Sequence, residues 1–298
     1  METIEHKNIR FMAKYKRYEP LIHDHTSMKV AKKCLRQYFY QIVLAKIPKE
    51  DATHFAWGRA YHKFREVLEV SNGDLVEACR RGLEIWTKKQ GGDPPLGTKF
   101  DFMTEARLMK TFSVAYKHWT NEKQAKRFEV LATEQPFNVA LRDGSHTSGR
   151  FDQVVRWNGK IWGRDFKTTS KEGAFYSREL DPNDQFTRYT FAESKLVGER
   201  VQGQIIETMY NAKKGGPEIN QYVSSRTEWQ LQQWETDQIF MNRILAMCRE
   251  EDIWPMQEES CKFCPFHSVC KEPSENAMMA QLDREYITRP WDNTKVDD

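Results

Sequence analysis

Apolar and aromatic side chains between Ser27 and Leu44 (SMKVAKKCLRQYFYQIVL) fall at mixed three- and four-residue steps, which predicts a helix across that stretch. The same spacing recurs from about Phe55 to Val70 and stops at SNGD, a turn signal. Two further helices are predicted over 74–90 and 101–121, separated by GGDPPLG. Near Phe128 the period changes. FEVLATEQPFNVAL alternates and carries strand-forming residues, RDGSHTSG reads as a turn, and RFDQVVRW and KIWGRDFKT read as strands joined at Asn158-Gly159, a strong hairpin dipeptide. A helix is expected from Gln185 to Val197, a strand at GQIIETMYNA, a turn at KKGGPE and a long amphipathic helix over 226–250. The chain then closes with a compact cysteine-bearing segment, WPMQEESCKFCPFHSVCKEP, and a polar tail. No internal repeat or low-complexity tract interrupts this order. The expected organisation is a mainly helical region over 1–127, an α/β core over 128–255 and a cysteine segment with its tail over 256–298.

Composition narrows the class. With 298 residues, 39% hydrophobic and 30% charged, the chain suits a folded globular protein and not a disordered one. The net charge of +3 announces no partner, but its distribution is uneven. Residues 1–50 hold eleven Lys/Arg against five Asp/Glu, whereas the stretch from Glu272 onward holds seven acids against three bases. A basic front end suits a polyanion, and a solvated surface is the plain alternative. METIEHKNIRFMAKYKRYEP has no apolar signal region, and no stretch approaches the ~18 apolar residues of a membrane span. The expectation is therefore a cytoplasmic protein (host cytoplasm if viral), whose six cysteines are reduced rather than paired.

The hairpin carries the first candidate chemistry. Asp165 and Lys167 lie two residues apart in one strand and so share a face. A hairpin centred on Asn158-Gly159 pairs residues whose numbers sum to about 317, which sets Asp152 roughly opposite Asp165. Two facing carboxylates repel unless a cation neutralises them. A hard divalent ion such as Mg²⁺ or Mn²⁺ fits oxygen ligands of this kind, and it can activate water beside a phosphodiester while Lys167 aims a fixed charge at the same oxygens. On these residues alone a surface ion pair, worth under ~1 kcal/mol, remains the competing account. Gln185 and Tyr189, at i and i+4, share one helix face directly after the hairpin, and His62 stands on a helix as a reasonable additional ligand.

The cysteines carry the second. Cys261, Cys264 and Cys270 form C-x2-C-x5-C, a loop able to wrap a soft-metal centre but one thiolate short of four. Cys34 on the basic N-terminal helix is the candidate fourth, while His267 inside the loop offers a Cys3His zinc alternative. Cys79 and Cys248 lie on predicted helices and are expected to be buried small hydrophobes.

The series His62 (WGRAYH), Glu134 (ATEQPF), Asp152 (GRFD), Asp165-Phe166-Lys167 (DFKT) and Gln185 with Tyr189 (QFTRY) resembles the PD-(D/E)XK nucleases, in particular their RecB-like branch. The resemblance spans residues 26 to 270; Phe151 stands where the superfamily's name has proline, and the third acid is Asp rather than Glu. It implies an α/β, restriction-endonuclease-like fold: a mixed central sheet flanked by helices, with a helical N-terminal part on which the C-terminal cysteine segment docks. It also implies metal binding by Asp152, Asp165, His62 and the Phe166 carbonyl, with Lys167 positioning the attacking water, Gln185 and Tyr189 supporting substrate, and Glu134 in the site. One cysteine before the core and three after it is similar to the arrangement in AddB nucleases and CRISPR adaptation exonucleases, where four cysteines hold a [4Fe–4S] cluster. The implied activity is a divalent-metal-dependent DNA exonuclease of recombination, repair or phage DNA processing. A metal-dependent endonuclease and a non-catalytic nucleic-acid-binding protein are the alternatives.

No Gly-x4-Gly-Lys-Ser/Thr occurs, so no P-loop motor is expected within the chain. Single-stranded or duplex DNA ends are the expected partner, with an annealing or recombination protein beside it and an oligomer compatible with the family. Lys29, Lys32, Lys33 and Arg36 form a basic strip suited to phosphates, and Tyr38 and Tyr40 are either stacking groups or core.

Overall fold

A computed structural model describes residues 17–18, 22–49 and 53–290, apart from the Phe175 side chain. The first sixteen residues, with their share of the basic front end, and the last eight of the acidic tail lie outside the described residues. In chain order the elements are α1 (His25–Lys33), α2 (Leu35–Tyr38), a π-helical turn (Phe39–Val43), β1 (Lys46–Pro48), α3 (Thr53–Val70), α4 (Leu75–Gln90) and α5 (Glu105–Gln124). They continue with β2 (Glu129–Ala140), β3 (His146–Trp157), β4 (Lys160–Thr169), α6 (Gly173–Leu180), α7 (Asp184–Val197), β5 (Val201–Ala212), β6 (Gly215–Ser225), α8 (Glu228–Glu251), α9 (Glu275–Glu285) and β7 (Tyr286–Thr288). This is the mixed α/β architecture expected from the sequence, with a central five-stranded sheet in the order β2-β3-β4-β5-β6. The contacts divide the chain into two compact units, one drawn from Met1–Glu50, Ala140–Gly149 and Glu235–Lys295, the other from Asp51–Val139 and Arg150–Trp234.

In the second unit, β3 and β4 are antiparallel, β4 and β5 parallel, and β5 and β6 antiparallel. The parallel step needs a crossover, and α6 and α7 supply it. Helix α3 buries Ala56, Trp57, Ala60, Tyr61, Phe64 and Leu68, a stripe at three- and four-residue steps. Phe64 stacks on Phe112 of α5 at 4.3 Å between ring centroids. Gly82 of α4 admits that pair, because a Cβ there would stand 2.6 Å from the Phe112 ring.

Strand alternation turns Phe166 of β4 into this same core, where it meets two guanidiniums. Arg65 of α3 lies 4.2 Å from the centre of its ring and Arg164 5.1 Å. Both cations are buried and are balanced by Glu207 of β5, Phe166's register partner, which is fully buried. Arg164 donates to Glu207 and, at 2.5 Å, to Glu122, while Arg65 stands 3.5 Å from Glu207. His118 closes the lattice at 3.2 Å from Glu122 and 3.3 Å from Glu207. Burial opposes the charge of Glu207, but Arg65 and Arg164 outweigh it and hold the carboxyl well below the usual range. Hydrogen bonds to Glu122 and Glu207 push His118 up to about 9.

The first unit packs Tyr38, Phe39 and Tyr40 against Leu245, Trp254, Phe266 and Leu282. Here the structure departs from the single helix expected over 27–44. The chain is extended at Cys34 (φ −166°, ψ 119°), so α1 stops, a new short helix begins, and the next turn widens to a π-helix. Side-chain spacing cannot show such a break, since the apolar period runs across it. β6, α6 and α9 were also not evident in the sequence. β6 is half-polar along an edge, α6 is a short crossover helix, and α9 lies in what reads as polar tail.

Two stability outcomes follow from the lattice. Glu207→Gln leaves two buried guanidiniums short of countercharge, and urea unfolding should show a loss of about 3–5 kcal/mol. His118 is raised above its unfolded value near 6.5, so its contribution is complete below pH 6.5 and is lost as pH rises through about 9. Unfolding curves at pH 6.5, 7.5 and 9 should show that decline in the wild type and a flatter profile in His118→Gln.

Candidate functional site

The β3–β4 hairpin sets the geometry. Asn158 (φ 49°) and Gly159 (φ 73°) both take the left-handed conformation of a two-residue hairpin turn. Gln153 faces Arg164 and Trp157 faces Lys160, so the expected sum of 317 holds. One step beyond Gln153, the Asp152 carboxylate accepts a hydrogen bond from the Phe166 amide at 2.7 Å. The amide that holds Asp152 therefore belongs to the residue whose ring is clamped by Arg65 and Arg164.

On the other face of β4, Lys167 Nζ bridges both oxygens of Asp165, at 2.9 and 2.7 Å. Asp165 is 1% exposed. Burial, aided by the nearby Asp152, pushes it up to about 6 despite the ammonium. Asp152 is raised as well, again chiefly by burial. Burial works against the charge of Lys167, but Asp165 and Asp152 more than offset it. His62, two-thirds covered by its surroundings, places Nδ1 3.5 Å from Asp152 and also reaches the Phe166 carbonyl. Burial and the Lys167 ammonium lower it to about 4, so the imidazole is neutral and its nitrogen can act as a ligand.

Helix α7 approaches from the Asp165 side. Its N-cap Asn183 accepts from the Gln185 amide at 2.9 Å and so fixes where that residue starts the helix. Gln185 Nε2 then points at Asp165 (3.4 Å) and at the Tyr189 hydroxyl (3.0 Å). The Tyr189 ring stands edge-on to Phe137 and Phe151.

Glu134 sits in β2 with φ 49°, a left-handed conformation rare for a non-glycine residue in a strand. Arg150 lies 3.7 Å from it, yet burial and the neighbouring Asp152 and Glu66 push its carboxyl up to about 8. Glu66 was missed in the sequence, although its place one turn after His62 on α3 is a usable signal. Tyr176 of α6 also adjoins Lys167, and nothing in the surrounding KEGAFYSREL pattern singles it out.

The donor set of Asp152, Asp165, neutral His62 and the Phe166 carbonyl fits a divalent cation: two carboxylates, one imidazole and one backbone oxygen. Among the described residues, the group of His, Cys, Asp or Glu side chains whose ligand atoms already lie within 4.8 Å of one another is a different one, His118, Glu122 and Glu207. There Arg164 and Arg65 already neutralise the carboxylates, so that group serves as an ion-pair lattice.

Within the first unit the four cysteines converge. Burial raises the thiols of Cys264 and Cys270; Cys34 adds to both, Cys261 adds to Cys264, and Cys264 adds to Cys270. The Gln257 amide donates to Cys34 Sγ at 3.4 Å, and the Tyr40 hydroxyl reaches Cys270. His267 is exposed, whereas Cys34 is buried. Cys248 is buried as expected and Cys79 is half-buried. Tyr38 and Tyr40, at 0% and 1% exposure, are core residues and present no face to a base. Lys29, Lys32 and Lys33 are exposed on α1, and Arg36 donates to the Trp254 carbonyl at 2.8 Å. No helix among the described residues is long and apolar enough to cross a membrane.

A search of curated proteins finds no significant match. Among solved structures, a "Putative exonuclease" from Eubacterium rectale is similar in fold, with a TM-score of 0.54 and 12% identity over 92% of this chain and 95% of that one. The protein SSO0001 matches at 14% identity over 83% of this chain and 96% of its own, with a TM-score of 0.30 that carries no argument. The sequence model of the PD-(D/E)XK nuclease superfamily matches residues 25–271, which include every member of the hairpin site and all four converging cysteines. The chain belongs to the PD-(D/E)XK nuclease superfamily.

Proposed function

We propose that the protein is a divalent-metal-dependent DNA exonuclease that hydrolyses phosphodiester bonds at DNA ends. The observation that carries this reading is the meeting of Asp152, Asp165, neutral His62 and the Phe166 carbonyl beside the Lys167 ammonium. Those four groups would hold Mg²⁺ or Mn²⁺, which when bound supplies a Lewis-acidic centre for water and phosphate oxygens. Lys167 keeps a positive charge next to the same position and orients the water or steadies the oxygens of the scissile phosphate. Gln185, hydrogen-bonded to both Asp165 and Tyr189, holds the carboxylate in place on the α7 side. Water adds to phosphorus, one bridging P–O bond breaks, and the departing oxygen takes a proton. Lys32, Lys33 and Arg36 are candidate phosphate contacts. The exonuclease assignment follows the resemblance to the RecB-like branch, and the Eubacterium rectale fold neighbour is described as a "Putative exonuclease".

The cysteine quartet completes the proposal as a [4Fe–4S] site formed by Cys34, Cys261, Cys264 and Cys270. The amide donated to Cys34 Sγ is of the kind that supports clusters. His267, being exposed, does not compete with buried Cys34.

With Mn²⁺, end-labelled linear DNA should be degraded while covalently closed circles survive, and EDTA should abolish the reaction. Lys167→Ala should lower kcat about a hundred- to a thousandfold. Cutting of circles would make it an endonuclease, and survival of all DNA would remove the enzymatic reading. Because protons compete with the cation at Asp165, Mn²⁺ affinity measured calorimetrically should fall up to about tenfold per pH unit below its value near 6, and this dependence should flatten above it. Anaerobically purified protein should be brown with about four irons per chain, and Cys34→Ser should lose colour and melting temperature together. A colourless, zinc-loaded product would reject the cluster.

A further inference from the structure

The face of α3 that presents His62 continues outward to an aromatic row that the hydrolytic chemistry does not use. Three contacts fix the path of this helix along β4. Arg65 covers the Phe166 ring, His62 reaches the Phe166 carbonyl, and Gly58 adjoins Thr168, whose hydroxyl lies 3.4 Å from where a Cβ would stand. Moving toward the start of α3 therefore means moving past Lys167 toward the C-terminal end of β4. Phe55 lies seven residues before His62, two turns away and within about 20° of the same face, or about 10 Å along the axis. It is 57% exposed, a large apolar ring left to solvent.

Phe55 is not isolated. The His54 ring lies 4.2 Å from it and 5.3 Å from Phe100, centroid to centroid, so three flat rings adjoin one another. Burial and neighbouring Lys99 lower His54, which keeps the middle ring uncharged. Lys99 itself holds its ammonium 5.1 Å from the Phe100 ring, placing a cation beside the row. Exposed flat rings next to a cation are what a single strand needs, since every base has a face to stack and every phosphate a charge to meet.

We infer that Phe55, backed by His54 and Phe100, is a stacking platform for a base of single-stranded DNA, about three stacked steps (~3.4 Å each) from the phosphodiester being cut. This inference rests on the nuclease reading of the same site and adds a preference to it. The strand enters unpaired, because a base stacked on Phe55 cannot stay within a duplex.

The test separates binding from cleavage. A fluorescein-labelled oligothymidylate is titrated by anisotropy in Ca²⁺, with single abasic positions scanned along it. Wild-type protein should lose about tenfold in affinity when the base on the platform is missing, and show little change elsewhere. Phe55→Ala should bind the intact strand about tenfold more weakly and become indifferent to the abasic site, while Phe55→Trp should restore the wild-type pattern. Melting curves of each variant exclude misfolding. The idea is overturned if no abasic position matters to the wild type, or if the same position still matters to Phe55→Ala; the latter would leave the exposed ring to a protein partner. Degradation of the same oligonucleotide by wild type in Mn²⁺ reads the nuclease assignment separately.

Discussion

One residue, Phe166, couples the interior to the chemistry. Its ring is gripped by two buried guanidiniums, its amide holds Asp152, and its carbonyl faces His62. The neighbours of Phe166 in sequence, Asp165 and Lys167, face the opposite way and supply the remaining charges. A buried ionic lattice is an expensive way to hold a ring, since each ion gives up its hydration. What it provides is directionality. Apolar packing would let the strand shift by a fraction of an ångström, whereas Arg65, Arg164, Glu122 and Glu207 meet in defined geometry. The electrostatics on the two faces also differ in kind. Toward α5 the carboxylates are matched by arginines and an imidazolium, whereas toward the site burial leaves Asp152, Asp165 and Glu134 raised and short of positive charge.

The legibility of the chain divides along the same line. The hairpin was readable because Asn158-Gly159 dictates a two-residue turn, and a fixed turn dictates register. That register, extended one step, brings Asp152 near Asp165. Gln185 and Tyr189 could be placed on one face because helical spacing is regular, and their mutual hydrogen bond bears that out. The lattice beneath Phe166 was not readable. Its members come from α3, α5, β4 and β5, and nothing local marks a buried arginine as different from a surface one. Glu66 escaped for a related reason, because its significance depends on Glu134 arriving from another strand.

The break at Cys34 shows the limit of periodicity from another side. The apolar rhythm from Ser27 to Leu44 is continuous, and both flanking segments are helical, yet the cysteine itself is extended. A regular helix would fix its sulfur by the helical screw alone. The interruption frees that direction, and its sulfur receives the Gln257 amide among the segment's other thiols. Local propensity describes what a segment tends to do, while the departure from it is decided by what the segment packs against.

The hairpin turn carries a corollary. Side chains in a strand alternate between faces, so lengthening the Asn158-Gly159 connection by a single amino acid would slide β3 against β4 and carry Asp152 out of step with Asp165. A surface turn that touches neither carboxylate is thus tied, through its length, to the spacing between them.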